Sequence, residues 1–90
     1  MPQFKQYQQG DDKPTFKELQ NFVGGYVEYI YLSNGDMLAI NEEGSYMGFK
    51  DNTEATKIWH DDLRKQYGDR GDFYLIQGNV AHFVGGYADE

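Results

Sequence analysis

Apolar and polar positions fall into short blocks whose period changes along the chain. Residues 3–8 (QFKQYQ) alternate weakly, which predicts an edge strand. Gly10-Asp11-Asp12-Lys13-Pro14 has the composition of a turn. Thr15 then stands as a helix N-cap, and Glu18 three residues later completes a capping box. Phe16, Leu19, Phe22 and Val23 follow with helical spacing, so a short helix with one apolar face is expected. Gly24-Gly25 should end it, because glycine takes the left-handed C′ conformation without steric cost. Tyr26 to Leu32 (YVEYIYL) carries the aromatic and branched residues that suit a pleated surface. Asn34-Gly35 follows, predicting a two-residue type I′ hairpin loop, with Met37 to Ile40 as the return strand. Asn41-Glu42-Glu43-Gly44 reads as a second turn and Tyr46 to Phe49 as a short third strand.

The second half contains the longest regular pattern. Asp51 with Glu54 has the form of a cap, and Ala55, Ile58, Trp59, Leu63 and Tyr67 recur on one helical face over Thr53–Tyr67, up to Gly68. Asp72 to Gln77 (DFYLIQ) reads as a strand, Gly78-Asn79 as a two-residue loop, and Val80 to Val84 as its pairing partner. The expected fold class is α+β: a small, mostly antiparallel sheet with two helices packed on one face. Residues 1–90 form a single domain in this reading, with the polar segment 8–14 and the tail 85–90 expected to be mobile.

Length and charge narrow the function classes. A chain of 90 residues buries roughly 64% of its unfolded surface, enough for one modest core. Fifteen Asp and Glu against eight Lys and Arg give a net charge of -7, which argues against nucleic-acid binding and against adhesion to a membrane surface. The chain has no Cys, which excludes disulfides, thiolate metal sites and thiol nucleophiles. No apolar run approaches the roughly 20 residues of a membrane span, and MPQFKQYQQGDDK is not a signal peptide.

Three motifs in combination carry a resemblance. Leu19-Gln20 leading into Val23-Gly24-Gly25-Tyr26-Val27-Glu28, then Asn34-Gly35, then Asn41-Glu42-Glu43-Gly44 resemble the phage- and plasmid-associated domains of unknown function with a leucine-glutamine, VGGYIE, NEEG signature. Gly48, Asn52 and the segment from Asp72 through Gly78 extend the resemblance, which covers residues 16–80. The chain departs from the pattern at Thr53–Tyr67, where the family has a short Asn/Ala-rich link. The resemblance implies a small accessory product of a phage or mobile element, acting in the cytoplasm of the host cell, with no activity to transfer.

The candidate chemistry is sparse. Ser33 and Ser45 sit in turn-like segments outside any nucleophile elbow, and no triad is legible. His60, beside Asp61 and Asp62, reads as part of a solvated helix face, and His82 as a partly exposed strand residue. Glu42-Glu43 and His60-Asp61-Asp62 lack metal-site spacing, because adjacent helical side chains diverge by about 100°. Gly24-Gly25 follows a helix, so the dipole end nearby is the negative one and phosphate binding is disfavoured. Phe22 to Glu28 is echoed by Phe83 to Asp89. This is either coincidence or a sign that both Gly-Gly pairs expose backbone at one shared site.

The aromatic strand is the better candidate. With Ile30 and Leu32 in the core, Tyr29 and Tyr31 would lie on an outer face beside Val27. The expected partner-binding residues are Tyr26, Glu28, Tyr29, Tyr31, Glu42, Glu43 and Tyr46, since exposed tyrosines with rim carboxylates suit a protein contact. The expected function is therefore a non-catalytic binding protein that inhibits a host protein, such as a defence-system component, by occupying its surface. The partner would be a host protein with a basic surface, with no direct nucleic acid, membrane, metal or cofactor. The alternative is a sequestering binder of a small nucleotide-like signal. That role would call for a symmetric homo-oligomer, because one copy has little volume for a pocket.

Overall fold

The computed structural model describes residues 2–44, 46–68 and 75–85. Strands β1 (Phe4–Tyr7), β2 (Val27–Tyr31), β3 (Met37–Asn41) and β4 (Val80–Phe83) form one sheet in the order β1-β4-β3-β2, and the helices are α1 (Phe16–Val23) and α2 (Thr53–Tyr67). The β2–β3 and β3–β4 pairs are antiparallel and the β1–β4 pair is parallel. The fold is α+β with a mostly antiparallel sheet, as the pattern predicts.

The helices, however, lie on opposite faces of the sheet. Met37 and Ala39 of β3, with Ala81 and Phe83 of β4, pack with Leu19 of α1. Leu38, between Met37 and Ala39, and Val80, before Ala81, pack with Ala55 of α2, alongside Leu32 and Ile76. Successive side chains leave a strand on opposite faces, so the two core clusters are two sides of one sheet. The continuous apolar run Met37-Leu38-Ala39-Ile40 is the sequence sign of a strand covered on both sides.

The capping box at Thr15 forms as expected. Its side chain accepts from the Glu18 N–H at 3.1 Å, the Glu18 carboxylate accepts from the Thr15 N–H at 3.0 Å, and Gly24 closes α1 at φ 85°. Phe16 alone leaves the predicted apolar face, being 57% exposed. In α2 the cap is Asn52 rather than Asp51. Its Oδ1 accepts from the Ala55 N–H, while its Nδ2 donates to the carbonyls of Gln3 and Gly78. The buried side of α2 is Ala55, Thr56 and Asp62, with Ile58, Trp59 and Leu63 half-buried and Tyr67 exposed.

Three connections differ from the expectation. The β2–β3 loop has three residues, Ser33-Asn34-Gly35, because only Gly35 takes a positive φ (96°) and a type I′ turn needs two such residues. The Gly35 N–H donates to the Leu32 carbonyl and the Leu32 N–H to the Asp36 carbonyl, giving a type I turn with a glycine bulge. Residues 46–48 form turns, and 46–49 make no strand. The expected 72–77/80–84 hairpin does not form among the described residues, since both edges of β4 are occupied by β1 and β3. Gln77 makes only a single bridge, to Asp51, and residues 72–74 lie outside the described residues.

Candidate functional site

β2 forms one border of the sheet, and the hydrogen-bond phase of the β2–β3 ladder fixes what that border offers. The Glu42 N–H donates to the Tyr26 carbonyl at 2.9 Å, and the Leu32 N–H donates to the Asp36 carbonyl at 2.9 Å. Bonded pairs alternate along an antiparallel ladder, so residues 26, 28, 30 and 32 turn their backbone polar groups toward β3. Val27, Tyr29 and Tyr31 turn theirs outward, and among the described residues no strand pairs with them.

The side chains of β2 divide between the two faces. Val27 and Tyr29 are half-buried against the α1-side cluster, which corrects the expected exposure of Tyr29: the face it occupies is covered by α1. Tyr29 lines a small crevice with Phe16, Leu19 and Phe83. Tyr31, at the far end of the strand, is 74% exposed. Tyr26 is 67% exposed and borders a shallow cleft formed by Gln20, Asn21 and the Gly24-Gly25 turn.

On the α2 side, Glu28 and Glu42 flank a groove of about 520 Å³. Its floor is Ile30, Ile40 and Trp59, and Leu75 closes one side. Glu28 pairs with Ile40, and Glu42 lies across from Tyr26, so the two carboxylates are diagonal neighbours on one face. Both are exposed, and neither forms an ion pair among the described residues. The structure therefore brings together three of the seven predicted residues: Glu28 and Glu42 beside the groove, and Tyr26 directly across from Glu42. Glu43 and Tyr46 stand exposed on the turn after β3, and Tyr29 and Tyr31 lie on the other face of β2. Sequence reasoning assigned Trp59 to the core stripe and missed its place in the groove, because helical periodicity cannot separate a buried position from one bordering a sheet edge.

The turn that leads out of β2 is fastened from both sides. Asp62 of α2 accepts hydrogen bonds from the Ser33 N–H and hydroxyl and, at 2.7 Å, from Gln66 Nε2. Burial pushes the Asp62 carboxyl up, but the Ser33 and Gln66 bonds outweigh it and leave the pKa below the ordinary value. Asp62 and His82 are both buried, correcting the expected solvated and partly exposed positions; each is taken inside by a turn-anchoring hydrogen bond. His82 Nε2 lies 2.8 Å from Asp36 Oδ2, and Asp36 Oδ1 accepts from the Gly85 N–H at 2.6 Å. The His82–Asp36 pair has the form of half a relay, yet the Ser33 hydroxyl is bound to Asp62. His82 Nδ1 is buried with no partner among the described residues.

Gly25 and Gly85 do not share a site, and residues 86–90 lie outside the described residues. Gly25 sits against Asn41 and Gly85 against Asp36, at opposite ends of β3, about 17 Å apart along the strand. Among the described residues there is no group of three or more His, Asp or Glu able to hold a metal ion, and no helix is long and apolar enough to cross a membrane.

Comparisons with protein-family models, curated proteins and solved structures find no match.

Proposed function

We propose that this protein is a non-catalytic binding domain of phage or mobile-element type that inhibits a host protein by occupying its surface through the β2 border. The observation that carries this reading is the outward-turned backbone of Val27, Tyr29 and Tyr31, flanked by exposed Tyr26 and Tyr31 and by carboxylates on Glu28 and Glu42 that form no ion pair among the described residues. An unpaired strand edge supplies main-chain hydrogen bonds to an added strand, and neighbouring side chains select which strand it accepts. Tyrosine contributes large contact area with little rotamer entropy to lose, which favours it at such borders. The link to phages and host proteins rests on the sequence resemblance, and the contact surface rests on the geometry.

The test is site-directed crosslinking in host lysate. A photoreactive residue replacing Tyr31 should join one host protein in stoichiometric yield. The same residue replacing Lys57, on the outward side of α2, should not. The partner, purified, should then form a complex with the unmodified chain. Absence of any stoichiometric product at Tyr31, or substrate turnover by the purified chain, overturns the reading.

A further inference from the structure

We infer that the groove between Glu28 and Glu42 is a receptor for an arginine side chain carried on an extended segment of the partner, seated as that segment adds to β2. This rests on the proposed use of the β2 border and names the chemistry of what binds there. A strand laid along the outer edge of β2 places alternate side chains over the α2 face of the sheet, beside Glu28 and Ile30. A long side chain directed inward from that strand crosses the groove toward Ile40, Trp59 and Glu42.

The lining selects the occupant. Ile30, Ile40 and Leu75 offer apolar surface for a methylene stem, and Trp59 offers an indole for a planar cation. Glu28 and Glu42 supply two exposed carboxylates for the head group, and neither is neutralised by an ion pair among the described residues. Guanidinium satisfies all three demands, because it stacks on aromatic faces and matches carboxylate geometry in a fixed fork. The same charges disfavour two other occupants. A nucleotide would bring its phosphates against both carboxylates. A second copy of the chain would bring another Glu28 and Glu42 to the same face and add to a net charge that is already -7.

The probe is a synthetic seven-residue peptide of alternating Thr and Val with one central Arg, titrated against the full chain and followed by the fluorescence of Trp59, the only tryptophan. Saturable binding that weakens with added salt is expected. The Glu28→Gln, Glu42→Gln double variant should lose about fivefold in affinity, the scale of two exposed ion pairs. Both positions are exposed, so the variant should keep its circular dichroism spectrum. A peptide with Glu replacing Arg should not bind measurably.

If the Arg and Glu peptides bind equally, the arginine receptor is overturned while the use of the strand edge stands. If the Arg peptide still binds after backbone N-methylation at alternate residues, and Glu28 and Glu42 still matter, the receptor stands and edge pairing fails. No binding at millimolar peptide overturns the inference. So does a concentration-dependent dimer in sedimentation that the Arg peptide fails to dissociate.

Discussion

Replacing Asn52 by Ala removes three jobs from one buried side chain. Asn52 is 4% exposed, and its Oδ1 caps α2 by accepting from the Ala55 N–H at 3.1 Å. Its Nδ2 donates to the Gly78 carbonyl at 2.9 Å and to the Gln3 carbonyl at 3.1 Å. Loss of the cap costs about 1 kcal/mol. The Gly78 carbonyl, beside a buried glycine, is left short of a donor at a cost of about 1–3 kcal/mol. The Gln3 carbonyl belongs to an exposed residue and can rehydrate, so its loss adds about 0.5 kcal/mol. The sum is about 3 kcal/mol. A 90-residue domain has a total stability of roughly 5–13 kcal/mol, so the variant forfeits about a fifth of it or more. Urea denaturation followed by Trp59 fluorescence measures the difference, and the melting temperature should fall by roughly 12–24 °C. Two companion substitutions separate the jobs. Asn52→Ser restores the cap and should recover about 1 kcal/mol. Asn52→Asp keeps the cap but aims a carboxylate oxygen at two carbonyls, and should be less stable than Asn52→Ala. A loss below 1 kcal/mol for Asn52→Ala, or an Asn52→Asp variant as stable as the parent, would refute the reasoning.

Three further outcomes follow from the same geometry. The Asp62 pKa is lowered in the folded state, so its stabilisation is fully present above the unfolded carboxylate pKa and disappears as pH falls through the lower folded value. Urea titrations across that acidic range should show the parent losing stability on acidification more steeply than Asp62→Asn. Gly78→Ala should destabilise by about 2 kcal/mol, because φ is 89° and the added Cβ would lie 2.7 Å from the Phe49 ring. Combined with Phe49→Ala the steric part vanishes, so a thermal-melt double-mutant cycle should be less than additive. Thr15→Ala removes the acceptor for the Glu18 N–H and should cost about 1 kcal/mol in chemical denaturation.

Elements whose determinants are local in sequence were legible. The Thr15–Glu18 capping box, the Gly24 stop and the extent of α2 each depend on residues within a turn or two of one another. Features decided by distant segments were not. Asn52 outcompetes Asp51 as the cap because its amide also reaches Gln3 and Gly78, a preference that α2 alone does not encode. Among the described residues the hairpin expected of 72–84 does not form, because β1 takes the open edge of β4, a pairing across more than 70 residues. The two-sided burial of the sheet could have been read from Met37-Leu38-Ala39-Ile40, which has no polar alternation, but one amphipathic strand, β2, suggested a single covered face. That same error placed Tyr29 in solvent. Sequence alone marks Glu28 and Glu42 only as separate charges, and their meeting in one groove follows from strand register, which is set by the loop at Ser33-Asn34-Gly35.

The sheet has two edges, and they are not equivalent as docking surfaces. β1 is four residues long, and Lys5 on it lies 5.1 Å from the Tyr7 ring centre. A short edge strand bearing a lysine is the usual defence against unwanted strand addition. β2 is one residue longer, has no basic residue, and carries Tyr, Ile and Val in four of its five positions. Such an edge invites pairing unless something excludes the wrong strands, and in the proposed role the carboxylates of Glu28 and Glu42 would do so by repelling acidic segments and copies of the chain itself. The loop at the end of this edge is tied from both sides. Asp62 grips Ser33 at one end of the β2–β3 loop, and Asp36, tied to His82 and Gly85, grips the other. On the proposed reading, a partner strand would meet an edge whose loop is already anchored and would forfeit mainly its own freedom. The two buried polar anchors, Asp62 and His82, thus have a physical reason to be where they are: they hold the loop that sets the register of β2.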